Sequence, residues 1–347
     1  MLITILSFAF VLGILIFVHE LGHFLTAKMV GIRVERFSVG FPPRMFGKQI
    51  GDTDYCISWL PLGGYVKMSG MIDESLDGTI KGEPWEFASK PVWQRIIVIC
   101  AGSFMNIVTA IAIYAMIVYV TGIAEAVGTS EVGALLPGKP AEGIGLRPGD
   151  VITSVENQPV QTWEELTKII HSKPDQELEI SWVRDGQTFT KKVTPELQPQ
   201  ENIGLIGISA KMQYRKVGFF ASVGQGFTTS YFILSQIAKA LKVIVTGEQS
   251  FKDAVGGPII IAKMAGESAR LGFQALLIFT AFISLNLGFM NMLPFPVLDG
   301  GHLMLLLIEG IRRKPLPVKA VMTIQKVGMA FLIALMIFII ISDFSKL

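Results

Sequence analysis

Two histidines four residues apart bracket a glutamate in His19-Glu20-Leu21-Gly22-His23. On a helix, positions i and i+4 share a face, about 6 Å apart along the axis at ~1.5 Å per residue. Both imidazoles can then reach one Zn²⁺ ion, and Glu20 can hold and deprotonate a water beside it. The bland alternative is a pair of helix histidines satisfied near a membrane surface. Three ionisable groups follow the charge-free stretch Leu2–Val18 directly, however. A charge inside a bilayer costs at least ~2.5–3.5 kcal/mol, so a cluster kept there points to a metal site.

A catalytic zinc takes three protein ligands and keeps one position open. The third is expected from Asn291-Met292-Leu293-Pro294-Phe295-Pro296-Val297-Leu298-Asp299-Gly300-Gly301-His302. Asp299 ends a long apolar stretch, as His19 does, and Pro294 and Pro296 would break a helix there and turn backbone toward a cavity. His302 is a rival ligand three residues on. His171 falls in a polar region expected across the membrane.

These residues need a membrane scaffold. Of the 347 residues 51% are hydrophobic and the mean hydropathy is +0.52, outside the usual range of soluble domains. A net charge of +2 argues against a nucleic-acid partner. Two cysteines, Cys56 and Cys100, are too few for a disulfide framework. Leu2–Val18, Ile96–Thr121, Leu271–Leu298 and Val327–Ser342 carry no charge and run 17, 26, 28 and 16 residues. A span needs about 20 apolar residues, so a polytopic α-helical membrane protein with about four transmembrane helices is expected. The first stretch reads as a retained helix, because His19 and Glu20 stand where a signal peptide would carry its cleavage site.

Lysine and arginine set the orientation. Lys28, Arg33, Arg36, Arg44, Lys48, Lys67, Lys90 and Arg95 lie between spans one and two; Arg312, Arg313, Lys314 and Lys319 lie between three and four. Both groups are expected in the cytoplasm, and the polar stretch from Glu125 to about Arg215 outside it. Residues 1–126 thus hold the first two spans and, at 34–70, short β-like runs (Val34–Val39, Tyr55–Trp59) broken by Gly and Pro. These are too apolar around Trp59–Tyr65 for water and are expected to form a re-entrant β-sheet beside an aqueous pocket. Residues 127–196 read as one extracytoplasmic α/β module, with a helix at Trp163–His171 and an Asp185-Gly186 hairpin turn. Gly145-Leu146-Arg147-Pro148-Gly149-Asp150 ahead of the first of its predicted strands, Val151–Val155, makes it resemble a PDZ domain. Residues 197–270 are expected to be a linker and an amphipathic helix at 217–246. If His19 and Asp299 share an ion, an odd number of crossings separates them. Ile96–Thr121 supplies one, so 217–246 is expected to lie on the membrane surface. Residues 271–347 hold the last two spans.

Taken along nearly the whole chain, the sequence resembles the bacterial site-2 protease family, the RseP-like intramembrane zinc metalloproteases, in a single-PDZ form. The resemblance rests on His19-Glu20-x-x-His23, Pro61-Leu62-Gly63-Gly64-Tyr65-Val66-Lys67, Gly256-Gly257-Pro258 and Asn291-x-x-Pro294-x-Pro296-x-Leu298-Asp299-Gly300. It implies zinc held by His19, His23 and Asp299, with Glu20 as the base. It further implies that Asn291 binds substrate backbone and that the sheet at Gly64 and Tyr65 takes up unwound substrate as an added strand. Transmembrane-helix proteins, pre-trimmed by another protease, would be the substrates in a bacterial cytoplasmic membrane, with lipid as the surrounding partner. The chain departs from the family pattern at Gly40-Phe41-Pro42, for Gly-Phe-Gly, and at Ala101-Gly102-Ser103-x-x-Asn106, where the family has proline in the third place. Three competing readings are a membrane-anchored zincin with a cytosolic site, a metal transporter and a non-catalytic scaffold. An Asp at the end of an apolar span counts against the zincin, and the scarcity of ionisable residues in the spans against the transporter; a scaffold would be indifferent to Glu20→Gln.

Overall fold

A computed structural model describes residues 1–72, 80–198, 202–248 and 256–345. Its elements are α1 (Leu2–Met29), β1 (Val34–Ile50), β2 (Thr53–Met68), α2 (Val92–Thr121), β3 (Ile123–Ala126), β4 (Val132–Leu135), α3 (Pro140–Gly143), β5 (Val151–Val155), β6 (Gln158–Pro159), α4 (Trp163–His171), β7 (Leu178–Arg184) and β8 (Gln187–Val193). Then come β9 (Glu196–Gln198), β10 (Ile203–Leu205), β11 (Ile208–Ala210), β12 (Met212–Arg215), α5 (Phe219–Val245), α6 (Pro258–Leu271), α7 (Phe273–Asn291), α8 (Asp299–Arg312) and α9 (Val318–Phe344). Among the described residues, α1, α2, α7 and α9 are long and apolar enough to cross a membrane. These are the four expected spans.

Met1–Val118 and Phe219–Leu347 form one compact unit and Tyr119–Gly218 a second. In the first, the buried residues of α1 recur every fourth position through Ser7, Val11, Leu15, His19 and His23. That spacing keeps one stripe inward, while Ile5, Leu6, Phe17 and Leu25 on the other faces stay exposed, as side chains in lipid must. The first span was expected to stop at Val18, but α1 runs unbroken to Met29. His19 and His23 lie on the packed stripe, where neighbouring elements meet them, and Glu20 beside it is half-buried, so these residues do not end the helix. The third span is shorter than Leu271–Leu298. The helix stops at Asn291, before the two prolines, and Asp299 opens the next helix instead of closing this one.

Residues 34–70 form a hairpin that folds back on itself. Phe37, Ser38 and Val39 pair with Val66, Tyr65 and Gly64 on one side and with Tyr55, Cys56 and Ile57 on the other; Phe46–Gln49 pair with Asp54–Ile57 in turn. The register therefore has four runs, in the order 64–68, 34–39, 53–57 and 46–50, with Gly64–Met68 at one edge. Gly40, expected in a turn, carries a positive φ of 97° within β1, where pairing passes from one neighbour to the other.

The segment 197–270, expected to hold a linker and one helix, contains four short strands and two helices among the described residues. Ile233, Leu234 and Ile237 of α5 pack against Ala110 and Tyr114 of α2 and Ala281 and Leu285 of α7. Its buried face is thus supplied by neighbouring helices. α6 begins at Pro258, the position where a helix needs no N–H, and Gly266 approaches Thr4 of α1 closely.

The second unit is wider than the expected 127–196, because β3 pairs with β12 and β4 with β11. Strands of three or four residues, joined over about eighty positions, leave no periodic signal. Its core sheet, in the order β6-β5-β7-β8, packs Ile152, Ile180 and Trp182 against Leu166 and Ile170 of α4. The Asp185-Gly186 turn has the positive φ pair (49° and 78°) of a tight hairpin. A capping box joins Thr162 and Glu165, and the backbone N–H groups of Gln161 and Thr162 hold the Glu165 carboxyl below its ordinary range.

Candidate metal centre

His19 and His23 reach the site from one face of α1, and Asp299 from the first turn of α8. His19 Nε2 lies 3.4 Å from Asp299 Oδ2 and His23 Nε2 lies 3.4 Å from Asp299 Oδ1, with 3.2 Å between the two Nε2 atoms. Zinc bonds of about 2.0–2.1 Å at tetrahedral angles put neighbouring ligand atoms ~3.3 Å apart. The three separations fit that edge length, and two imidazoles with one carboxylate are a catalytic-zinc donor set. The expected ligands, scattered at positions 19, 23 and 299, are the ones brought together.

The outer atoms of these side chains are held by α2. His23 Nδ1 is 2.8 Å from the Val98 carbonyl, so it carries the proton and leaves Nε2 free as a ligand. His19 Nδ1 faces the Asn106 side-chain amide at 3.3 Å, while Asn106 Oδ1 is buried without a partner. Turning the amide over satisfies both: Oδ1 accepts from Nδ1–H, and His19 Nε2 is freed. A Cβ at Gly102 would overlap His23 Nε2 and lie 2.8 Å from His19 Cε1, so α2 can cradle both rings only with glycine there.

Asp299 sits at the head of α8 because the chain turns sharply after α7. Val297 adopts a φ of +79°, which a β-branched residue avoids at a cost of about 1–3 kcal/mol. The turn is held from both sides: Gly301 packs on Pro296, and Gly328 of α9 lets Pro296 close against it.

A cavity of about 80 Å³ adjoins the ligands, lined by Glu20, Gly64, Tyr65 and His302 among others. Each expected site residue therefore has a place here. Asn291 ends α7 with Nδ2 3.4 Å from His19 Nε2. Tyr65 is anchored through its hydroxyl, which accepts from Arg36 at 2.9 Å. His302, the rival ligand, lines the cavity but has its Nε2 3.1 Å from the Gln325 amide. Val98, Gly102, Ser103 and Asn106 were not legible as site residues. Their stretch drew attention only as a departure from a pattern, and nothing in it says which side chain it will meet.

The family model for peptidase family M50 matches residues 7–335. A candidate zinc metalloprotease of Clostridium perfringens is 38% identical over 329 residues, covering 95% of each chain. The regulator of sigma-W protease RasP of Bacillus subtilis is 30% identical over 422 aligned positions, covering 99% of each, and the zinc metalloprotease RasP of Shouchella clausii is also 30% identical. Among solved structures, the PDZ domain of an SdrC-like protein of Listeria monocytogenes aligns with 25% of this chain and 90% of its own, at 20% identity and a TM-score of 0.22.

Proposed function

This chain belongs to peptidase family M50, and from that membership we propose that it is an intramembrane endopeptidase cutting the transmembrane helices of other proteins. It is a zinc metalloprotease by family and a multi-pass membrane protein by its four apolar helices. The observation that carries the proposal is the depth of the ligands. His19 lies ten residues short of Met29 (29 − 19), about 15 Å along the axis, on a helix of 28 residues. With a hydrocarbon core about 30 Å thick, that position is inside the membrane.

His19, His23 and Asp299 would hold the ion, whose Lewis acidity polarises a scissile carbonyl and lowers the pKa of water to about 7. Glu20 takes a proton from the attacking water and returns it to the leaving amine. The products are a carboxylate and an amine. Asn291 donates to the substrate backbone through its amide. A helical substrate hides its carbonyls, so it must unwind. The edge run Gly64–Met68, with Gly64 and Tyr65 at the cavity, offers its backbone groups to the unwound strand. Substrates are membrane stubs already trimmed by another protease, such as anti-sigma factors or signal-peptide remnants in a bacterial cytoplasmic membrane. The PDZ-like unit, outside that membrane, serves as a size filter or a docking site for them.

The test uses purified enzyme in micelles and a single-span peptide. Glu20→Gln should keep stoichiometric zinc and lose at least ~100-fold in kcat, the scale of a general base. Zinc-loaded wild type that digests an unfolded soluble protein but leaves the span intact would sink the intramembrane reading.

A further inference from the structure

Hydroxyl groups within the helices of this protein usually turn inward on their own backbone. Ser7, Thr26, Thr228, Thr280 and Thr323 each donate to the carbonyl four residues earlier. That is the default for a serine or threonine with no better partner. Ser103 does otherwise. It sits in the middle of α2, is 1% exposed, and its Oγ donates to Asp299 Oδ2 at 3.0 Å, across 196 positions of sequence. A hydroxyl has one proton to give, and here it goes to the carboxylate that completes the metal centre.

We propose that Ser103 is a positioning residue for Asp299, fixing the carboxylate through Oδ2 so that it meets the two imidazoles in a ligating orientation. The inference rests on the metal centre described above and extends it to a residue at which the chain departs from its resembled family, where proline would have no hydroxyl. Three features support it. Besides the two imidazoles at 3.4 Å, the Asp299 carboxylate meets the Ser103 hydroxyl, a partner outside the ligand set. The same stretch of α2 holds the other two ligands through Val98 and Asn106. α2 itself is fixed at that height, because Ser284 of α7 donates to the Asn106 carbonyl at 2.7 Å. With Ser103 included, each of the three ligand side chains is oriented from one helix.

Hydrogen-bond partners of metal ligands typically carry a 10–100-fold effect on affinity. In full-length protein stripped with chelator, Ser103→Ala is expected to bind Zn²⁺ at least ~10-fold more weakly in competition with a chromophoric chelator. The visible absorption of the Co²⁺-loaded variant should differ from wild type. Ser103→Thr, which keeps the hydroxyl, should restore both. The melting midpoint of the metal-free Ser103→Ala protein should equal that of metal-free wild type. Unchanged affinity with an unchanged Co²⁺ spectrum overturns the proposal. So does a weaker affinity that tracks a lower metal-free midpoint and is not restored by threonine, which would assign Ser103 to packing. Failure of wild type itself to bind Zn²⁺ or Co²⁺ would overturn the metal centre, a separate result.

Discussion

Within the site, what was legible and what was not divides by the range of the interaction. His19, Glu20 and His23 declare themselves because a helix converts a spacing of four into one face, and no tertiary knowledge is needed. Asp299 stands out as an ionisable residue at the edge of an apolar stretch, with His302 as its rival, and the family resemblance favours it. Gly102 carries no such signal, since its meaning is the absence of a side chain opposite two rings that belong to another helix. Gly102→Ala should therefore damage the centre more than its size suggests. The added methyl must overlap His23 Nε2 or push α2 from α1, and overpacking of this kind costs about 1–3 kcal/mol. The expected outcome is at least ~10-fold weaker zinc binding in a chelator competition. Wild-type affinity would mean that the helices do not approach as closely as described.

At the scale of elements, the charge-free stretches locate the helices that cross the membrane but not where those helices stop. α1 passes through its three ionisable residues because two of them, His19 and His23, lie on its packed stripe, and α7 stops early because proline removes the N–H groups that would continue it. α6 has no such signal in the sequence, because its start is set by a residue far away. Asp343, fully buried near the end of α9, accepts from the N–H groups of Gly257 (2.8 Å), Ile259 (3.0 Å) and Ile260 (3.3 Å). It thus caps α6 in trans. Gly257 can stand there because a Cβ would lie 2.5 Å from Asp343 Oδ2. Asp343→Ala leaves three N–H donors, that of Gly257 buried, without their acceptor and should cost about 2 kcal/mol, read as a lower melting midpoint in micelles. Asp343→Asn, which keeps one acceptor oxygen, should lose less. Equal midpoints for wild type and the alanine variant would show that water satisfies the helix start.

For the molecule as a whole, the meeting of His19 with Asp299 constrains topology more tightly than charge counting does. The two groups come together only if α1 and α7 bring them to the same depth from the same side. On the function proposed above, with α2 as the crossing between α1 and Tyr119–Gly218, that unit is expected on the opposite side from β1, β2 and the α8–α9 connection. By the lysine and arginine distribution the latter side is the expected cytoplasmic one. Single cysteines test this in a background with Cys56 and Cys100 replaced. Both native thiols are at least partly shielded, so replacement by alanine, close in size, disturbs their packing least. Gln187→Cys, exposed in the second unit, should react with a membrane-impermeant maleimide in intact cells. Lys48→Cys and Lys314→Cys, also exposed, should react only after permeabilisation. Labelling of all three in intact cells would contradict the alternation of spans. The reverse pattern would keep the fold but invert it in the membrane, placing the PDZ-like unit in the cytoplasm, where it could neither screen nor dock a stub trimmed from outside.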